Sequence, residues 1–254
     1  MSLSNVYAGY GHEIVLHDVD LDIYERDFIG IIGPNGGGKT TLVRVILGLI
    51  KPVKGSVKIQ LQGMNNSIRN IGYLPQSHNI DTAFPISVME VVLSGLAGND
   101  TGKIKHSKKN KEAALRLMAK MGIGHLADRP VGDLSGGQLQ RTMVCRAVIS
   151  DPALLILDEP GTFVDSRFEN ELYELLKELN KEMAVVVVTH DLGTVSAYIK
   201  TIVCVNRKVY YHPSNKITGD QLQAYGCPIQ LITHGDLPHT VLKTHPREGG
   251  TDDL

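Results

Sequence analysis

The sequence predicts an α/β fold organised around a parallel sheet, and three observations carry that prediction. Unbroken apolar runs, Phe28-Ile29-Gly30-Ile31-Ile32, Leu154-Leu155-Ile156-Leu157 and Ala184 to Val188, have the composition of strands buried on both faces. Helical periodicity lies between them, as in Leu172, Leu175, Leu176 and Leu179 at i, i+3, i+4 and i+7. The first run also leads directly into a glycine-rich loop, Gly33 to Gly38, with a helix-like stretch behind it.

That loop, Gly33-Pro34-Asn35-Gly36-Gly37-Gly38-Lys39-Thr40-Thr41, fills every fixed position of G-x-x-x-x-G-K-[ST]. Glycines let successive backbone N–H groups turn toward one anion, because no Cβ opposes positive φ. The following helix, expected from Thr41 to Ile50, aims its positive end at the same point. Lys39 can then reach the β- and γ-phosphates of a nucleotide, and the Thr40 hydroxyl can ligate Mg²⁺.

Composition narrows the alternatives. The 254 residues carry a net charge of −1, which argues against nucleic acid as the main partner. The three cysteines, Cys145, Cys204 and Cys227, are widely spaced and read as free thiols of a reducing compartment. No apolar run reaches the ~18 residues that span a bilayer. Met1 to Gly11 lacks the pattern of a secretory signal. A cytoplasmic protein that meets membranes through a partner is expected.

Taken in order, Asn5 to Ile23 reads as strand, turn, strand. The turn is Tyr10-Gly11-His12-Glu13, and Val15, Val19, Leu21 and Ile23 mark one face at odd positions. Tyr10 either stacks on a nucleotide base or packs on the sheet. Lys51-Pro52 ends the first helix, and Val57, Ile59 and Leu61 alternate with polar residues as a half-exposed strand. Ile71 to Leu74 forms a short strand stopped at Pro75, which leaves Gln76 at a strand end where parallel sheets meet ligands.

Residues 86–125 read as helical, with Ser87 as a cap, and residues 80–133 as a helical subdomain inserted into the core. Its basic run (Lys103, Lys105, His106, Lys108, Lys109, Lys111) is a solvated helix start or an attraction to anionic lipid headgroups. Leu134-Ser135-Gly136-Gly137-Gln138 precedes a helix from Leu139 to Ile149 and offers a second anion cradle or a helix cap. Asp158 and Glu159 end an apolar strand, where a Mg²⁺ near Asp158 would compensate one carboxylate and Glu159 would face the γ-phosphate as a base. Glu169, Glu171, Glu174 and Glu178 line the solvent side of the next helix. His190 follows the last apolar strand, and Ile202–Val205 with Lys208–Tyr211 predicts a closing hairpin. From Ser214 onward the texture changes; His234, His239 and His245 suit a partly ordered tail or transient metal binding, and Arg247 to Leu254 reads as disordered.

Five pieces now stand in one order: Lys39 in its glycine loop, Gln76, the Leu-Ser-Gly-Gly-Gln run, Asp158-Glu159, and His190. This set resembles the ATP-binding subunits of ABC transporters over about the first 210 residues. The resemblance implies a RecA-like P-loop NTPase core, an antiparallel β subdomain and the inserted α-helical subdomain, with the ATP-binding domain over residues 1–213 and an extension over 214–254. It implies ATP and Mg²⁺ as ligands. Tyr10 matches the base-stacking aromatic, Gly33 to Thr41 the phosphate loop, and Gln76 the glutamine that senses Mg²⁺ and the γ-phosphate. Ser135, Gly136, Gly137 and Gln138 match the signature that contacts ATP held by the other copy. Asp158 matches the metal-site carboxylate, Glu159 the catalytic base, Asp165 the aspartate of the dimer interface, and His190 the switch histidine.

The resemblance further implies a dimer with two ATPs between copies, peripheral on the cytoplasmic face of the membrane. Its partners are a membrane permease and, indirectly, an extracytoplasmic metal-binding protein. Two departures are visible. Gly161-Thr162-Phe163-Val164-Asp165 replaces the commoner Thr-Ser-Ala-Leu-Asp-like run, and Thr40 replaces the commoner Ser. Within the family the chain looks most like ATPases of zinc and manganese uptake. Phe84-Pro85-Ile86-Ser87-Val88, Phe163-Val164-Asp165, and Tyr225-Gly226-Cys227-Pro228 with the tail histidines carry that resemblance. The alternative is an ABC ATPase without a transport role, as in iron–sulfur cluster assembly.

Overall fold

The computed structural model describes residues 1–59, 71–76, 85–97, 107–160, 166–190, 195–214, 229–234 and 237–242. Its centre is a six-stranded sheet built from β3 (Phe28–Ile32), β5 (Ile71–Leu74), β6 (Leu154–Asp158), β7 (Ala184–Val188), β8 (Thr201–Asn206) and β9 (Lys208–His212). The strands lie in the order β5-β6-β7-β3-β8-β9. All neighbours are parallel except β9, which returns antiparallel from β8 as the expected hairpin. The central position of β3, with Gly30 registered against both Val187 and Ile202, explains its wholly buried residues.

The two faces of this sheet feed two cores. One face carries Phe28, Ile32, Leu155, Leu157, Val185 and Val187 and packs beneath the helices α2 (Val88–Ser94), α3 (Lys108–Lys120), α4 (Gly136–Val148) and α5 (Ser166–Leu179). The other carries Ile29, Ile31, Ile156, Val186 and Val188. It meets α1 (Lys39–Ile46) and a separate three-stranded antiparallel sheet, β2-β1-β4. That sheet consists of β1 (Ser2–Tyr10), β2 (Glu13–Asp22) and β4 (Lys54–Lys58). Period-two alternation within the parallel strands thus sends successive side chains into different cores.

Several elements differ from their sequence-based bounds. Helix α1 starts at Lys39, two residues early, and stops at Ile46; Gly48 at φ +68° turns the chain away before Leu49 and Ile50. In β2 the odd-numbered face holds only beyond a bulge at Asp18, whose φ is +53°. Before it Leu16, not Val15, is buried; after it Val19, Leu21 and Ile23 are. The inserted helical unit is α2 and α3 separately, with 3₁₀ turns at Gly124–Leu126 and Val131–Asp133. Ser87 caps α2 in a reciprocal box with Glu90, as expected. Glu171, Glu174 and Glu178 face solvent on α5, whereas Glu169 is half-buried.

In the tail, β10 (Ile229–His234) and β11 (Leu237–Leu242) pair as an antiparallel ribbon where only partial order was expected. His245 and Arg247 to Leu254 lie outside the described residues, as do Leu61 and the basic run before Ser107.

Leu155 is fully buried in β6 between β5 and β7. Leu155→Ala is expected to lower the unfolding free energy by about 2–5 kcal/mol in urea denaturation. A loss below about 1 kcal/mol would show that the strand can collapse around the missing side chain.

Candidate nucleotide site

The parallel sheet places the carboxyl ends of β3, β5, β6 and β7 along one edge, and each end delivers one part of the site. Beyond β3 the main chain runs through Gly33 at φ +152°, Gly36 and Gly38 into α1. A Cβ on Gly33 would sit 2.0 Å from the carbonyl oxygen of Val205 in β8, so a side chain cannot be accommodated there. No side chain caps α1 and no acidic residue stands in its first turn. Its leading N–H groups and positive end therefore face the cleft, available to an anion.

Lys39, only 7 % exposed, donates to the carbonyl oxygens of Gly33 (2.8 Å) and Pro34 (3.1 Å). The ammonium is thus held inside the loop, at the position where phosphate oxygens would compete for it. An open cleft of about 340 Å³ lies here. Pro34, Asn35, Gly36, Gly38, Lys39, Thr40 and Thr41 wall one side; Tyr10, Val15, Gln76, Asp158 and Glu159 wall the others. Among the described residues, five of the sequence-derived site elements therefore meet: the phosphate loop, Tyr10, Gln76, Asp158 and Glu159.

Asp158 closes β6 and is 6 % exposed. Burial pushes its carboxyl above the usual carboxylate range and the adjoining Glu159 adds to this, while Lys39, a hydrogen bond from Tyr73 and Arg44 pull the other way. The Tyr73 hydroxyl is in turn pushed up, first by burial and then by Asp158. A divalent cation is the natural complement to this pair of adjacent carboxylates, and the Thr40 hydroxyl, the Gln76 amide and Asp158 are oxygen donors that suit Mg²⁺.

Glu159 adopts φ +50°, a left-handed conformation uncommon for a non-glycine residue, with its N–H bound to the Val188 carbonyl at 2.8 Å. This turn lifts its carboxylate out of the strand line. Gln76 Nε2 donates to Glu159 Oε2 at 2.5 Å, and His190 Nδ1 lies 3.3 Å from Oε1. Residues from the ends of β5, β6 and β7, far apart in sequence, thereby converge on one carboxylate.

Ser135 caps α4 in a reciprocal box: its hydroxyl accepts from the Gln138 N–H at 3.3 Å, and Gln138 Oε1 accepts from the Ser135 N–H at 3.0 Å. Ser135, Gly136, Gly137 and Gln138 do not line the cleft around Lys39. Asp165, with Gly161 to Val164, lies outside the described residues. Three contributors were not singled out from sequence: Tyr73, whose hydroxyl reaches Asp158, Val15, which lines the cleft, and Arg44, which bonds Tyr10. Tyr73 pairs with Ile156 across β5–β6, two residues before Asp158, and that period-two relation was the signal available.

With this geometry in place, residues 16–162 match the ABC transporter family. The chain belongs to that family. Over 214 residues it is 39% identical to a zinc import ATP-binding protein of Saccharophagus degradans, covering 84% of this chain and 78% of the relative. Over 231 residues it is 38% identical to a manganese transport system ATP-binding protein of Bacillus subtilis, covering 89% and 92%. An inward-facing structure of a metal-chelate type ABC transporter superposes with a TM-score of 0.81 at 25% identity, covering 96% of each chain. A dimeric bacterial ABC transporter cassette does so at 0.69 with 29% identity, covering 85% and 99%. The family's ATP-binding subunits hydrolyse ATP to power transport, and this chain is an ATPase of that kind. Its RecA-like core, antiparallel β subdomain and helical insertion match the expectation. No helix among the described residues is long and apolar enough to cross a membrane.

Because the folded-state pKa of Asp158 is raised, its contribution to stability is fully present below the unfolded carboxyl value, near 3.8, and is lost as pH rises through the folded value. Without nucleotide or magnesium, Asp158→Asn is therefore expected to melt above the wild type at pH 8, with the gap closing as pH falls toward about 4. A gap independent of pH in thermal melts would remove the burial penalty from this carboxyl.

Proposed function

We propose that this chain is the ATP-hydrolysing subunit of an importer for a transition-metal ion, zinc or manganese, acting as an ATP-sandwich dimer. The observation that carries the catalytic part is the convergence of Gln76 and His190 on Glu159 beside the phosphate loop. The metal-import part rests on the zinc and manganese relatives, which favour transport over iron–sulfur cluster assembly. Among the described residues no three or more His, Cys, Asp and Glu side chains gather into a group that could hold a metal ion. The transported ion passes through a membrane permease fed by an extracytoplasmic binding protein, with the ATPase peripheral on the cytoplasmic side.

In this reading Tyr10 stacks on the base, while the backbone from Gly33 to Thr41 and the Lys39 ammonium hold the β- and γ-phosphates. Thr40, Asp158 and Gln76 would hold Mg²⁺, which would supply positive charge against the phosphates. Glu159 accepts a proton from the water that attacks the γ-phosphate, and His190 steadies that carboxylate and reaches the γ-phosphate itself. Ser135, Gly136, Gly137 and Gln138 face the nucleotide of a second copy, which explains why they stand away from their own cleft, and Asp165 serves the dimer interface. Binding of ATP favours the closed pair and hydrolysis releases it, a ligand-biased two-state cycle that moves the permease.

Glu159→Gln is expected to slow ATP hydrolysis by roughly 10²–10⁴ while ATP still binds, and to abolish uptake of radiolabelled zinc or manganese in cells where the wild type with its permease restores it. Hydrolysis near the wild-type rate would remove Glu159 from the base role, and restored uptake of neither metal by the wild type would sink the import assignment. Lys39→Ala should weaken nucleotide binding itself; unchanged ATP affinity in calorimetry would contradict the phosphate assignment.

A further inference from the structure

Helix α1 buries six of its eight residues, Lys39, Thr41, Leu42, Val43, Val45 and Ile46. The two left exposed are Thr40 and Arg44, spaced i, i+4 and so stacked on one side of the helix, about 6 Å apart along its axis. Thr40 lines the cleft. Arg44 reaches outward to β1, where its Nη1 donates to the Tyr10 hydroxyl at 2.9 Å and its guanidinium carbon lies 5.8 Å from the centre of the tyrosine ring. The contact is thus made at the hydroxyl end of the ring. Tyr10 is 45 % exposed and borders the cleft. An aromatic side chain this exposed at the end of a strand would otherwise be free to change rotamer.

We infer that Arg44 is a positioning residue for nucleotide binding: it fixes the Tyr10 ring as a platform for the base and sets its distance from the phosphate loop. The inference rests on the nucleotide site proposed above and deepens it. One rigid helix carries the phosphate-binding Lys39 and Thr40 at its start and, one turn on, the group that holds the base platform. The antiparallel sheet that bears Tyr10 and the parallel sheet that bears the phosphate loop are thereby kept in register for a ligand that touches both. Arg44 itself need not contact the nucleotide; its hydrogen bond acts on the base platform, while its charge is the weakest of the influences on Asp158 at the phosphate end.

Calorimetric titration with ATP and with tripolyphosphate, each with magnesium, separates the two ends. Arg44→Met is expected to weaken ATP binding by about 3–10-fold, the scale of one solvent-exposed hydrogen bond, and to weaken tripolyphosphate binding distinctly less. Tyr10→Phe keeps the ring and removes the acceptor, so it should give the same loss, and the double variant no more than either single one. Arg44→Lys, which keeps a donor, should recover part of the affinity. In steady-state kinetics the rise in KM for ATP exceeds any change in kcat. ATP affinity equal to wild type in Arg44→Met, an equal loss for tripolyphosphate, or additive losses in the double variant would each overturn the role. Wild-type protein that binds tripolyphosphate but gains nothing from the base would overturn it too, whereas wild-type protein that binds neither ligand would overturn the nucleotide site itself.

Discussion

The close approach of the phosphate loop to the carbonyl oxygen of Val205 is the constraint on which the rest of the site depends. Both Gly33 and Gly37 lie so near it that an added Cβ would fall 2.0 and 2.7 Å away. The contact continues in both directions: the Arg207 N–H donates to the Gly37 carbonyl at 2.8 Å, and the His17 N–H donates to the Arg207 carbonyl at 2.7 Å. A backbone ladder thus runs from the phosphate loop through the β8–β9 turn to β2 of the other sheet. This ladder anchors the loop through main-chain groups, and the close approach makes glycine the residue the geometry demands.

Against this rigid floor stands an electrostatically uncomfortable wall. Two consecutive carboxylates close β6, one buried against the floor of the cleft and the other turned out by a left-handed backbone. Neither feature helps the empty protein fold, since a buried carboxyl is driven toward its neutral form and positive φ strains a side-chain-bearing residue. Both make sense where a cation and a triphosphate share the cleft. In the proposed reading a cation would outweigh the burial of Asp158, and Glu159 would point at a reacting oxygen instead of into the strand. Stability has been surrendered locally for a site arranged before its ligand arrives.

Much of this was legible in the sequence because the strongest signals are also the most local. Unbroken apolar runs marked β3, β6 and β7, the glycine loop announced itself between strand and helix, and Ser87 with Glu90 wrote out a cap. The parallel connection then obliged Gln76, Glu159 and His190 to share one edge. What sequence hid were features set by tertiary packing. Helix α4 begins at Gly136, not Leu139, because the Ser135–Gln138 box supplies a first turn that glycine propensity speaks against. The bulge at Asp18 exchanges which of Val15 and Leu16 is buried, and Asn5 bonds the Asp18 side chain from the opposite strand. The bond of Arg44 to Tyr10 joins residues with no sequence proximity, and that of Tyr73 to Asp158 depends on the β5–β6 register, which only the folded sheet sets.

The division of the cleft between two sheets has a consequence for how long the molecule survives. Tyr10 and Val15 belong to the antiparallel layer, Gln76, Asp158 and Glu159 to the parallel one. A nucleotide lodged between them is a removable rivet across the two layers, and at a hundredfold excess over its dissociation constant it adds about 2.7 kcal/mol against unfolding. Emptying the cleft withdraws that margin, so by mass action the nucleotide-free chain opens more often than the loaded one.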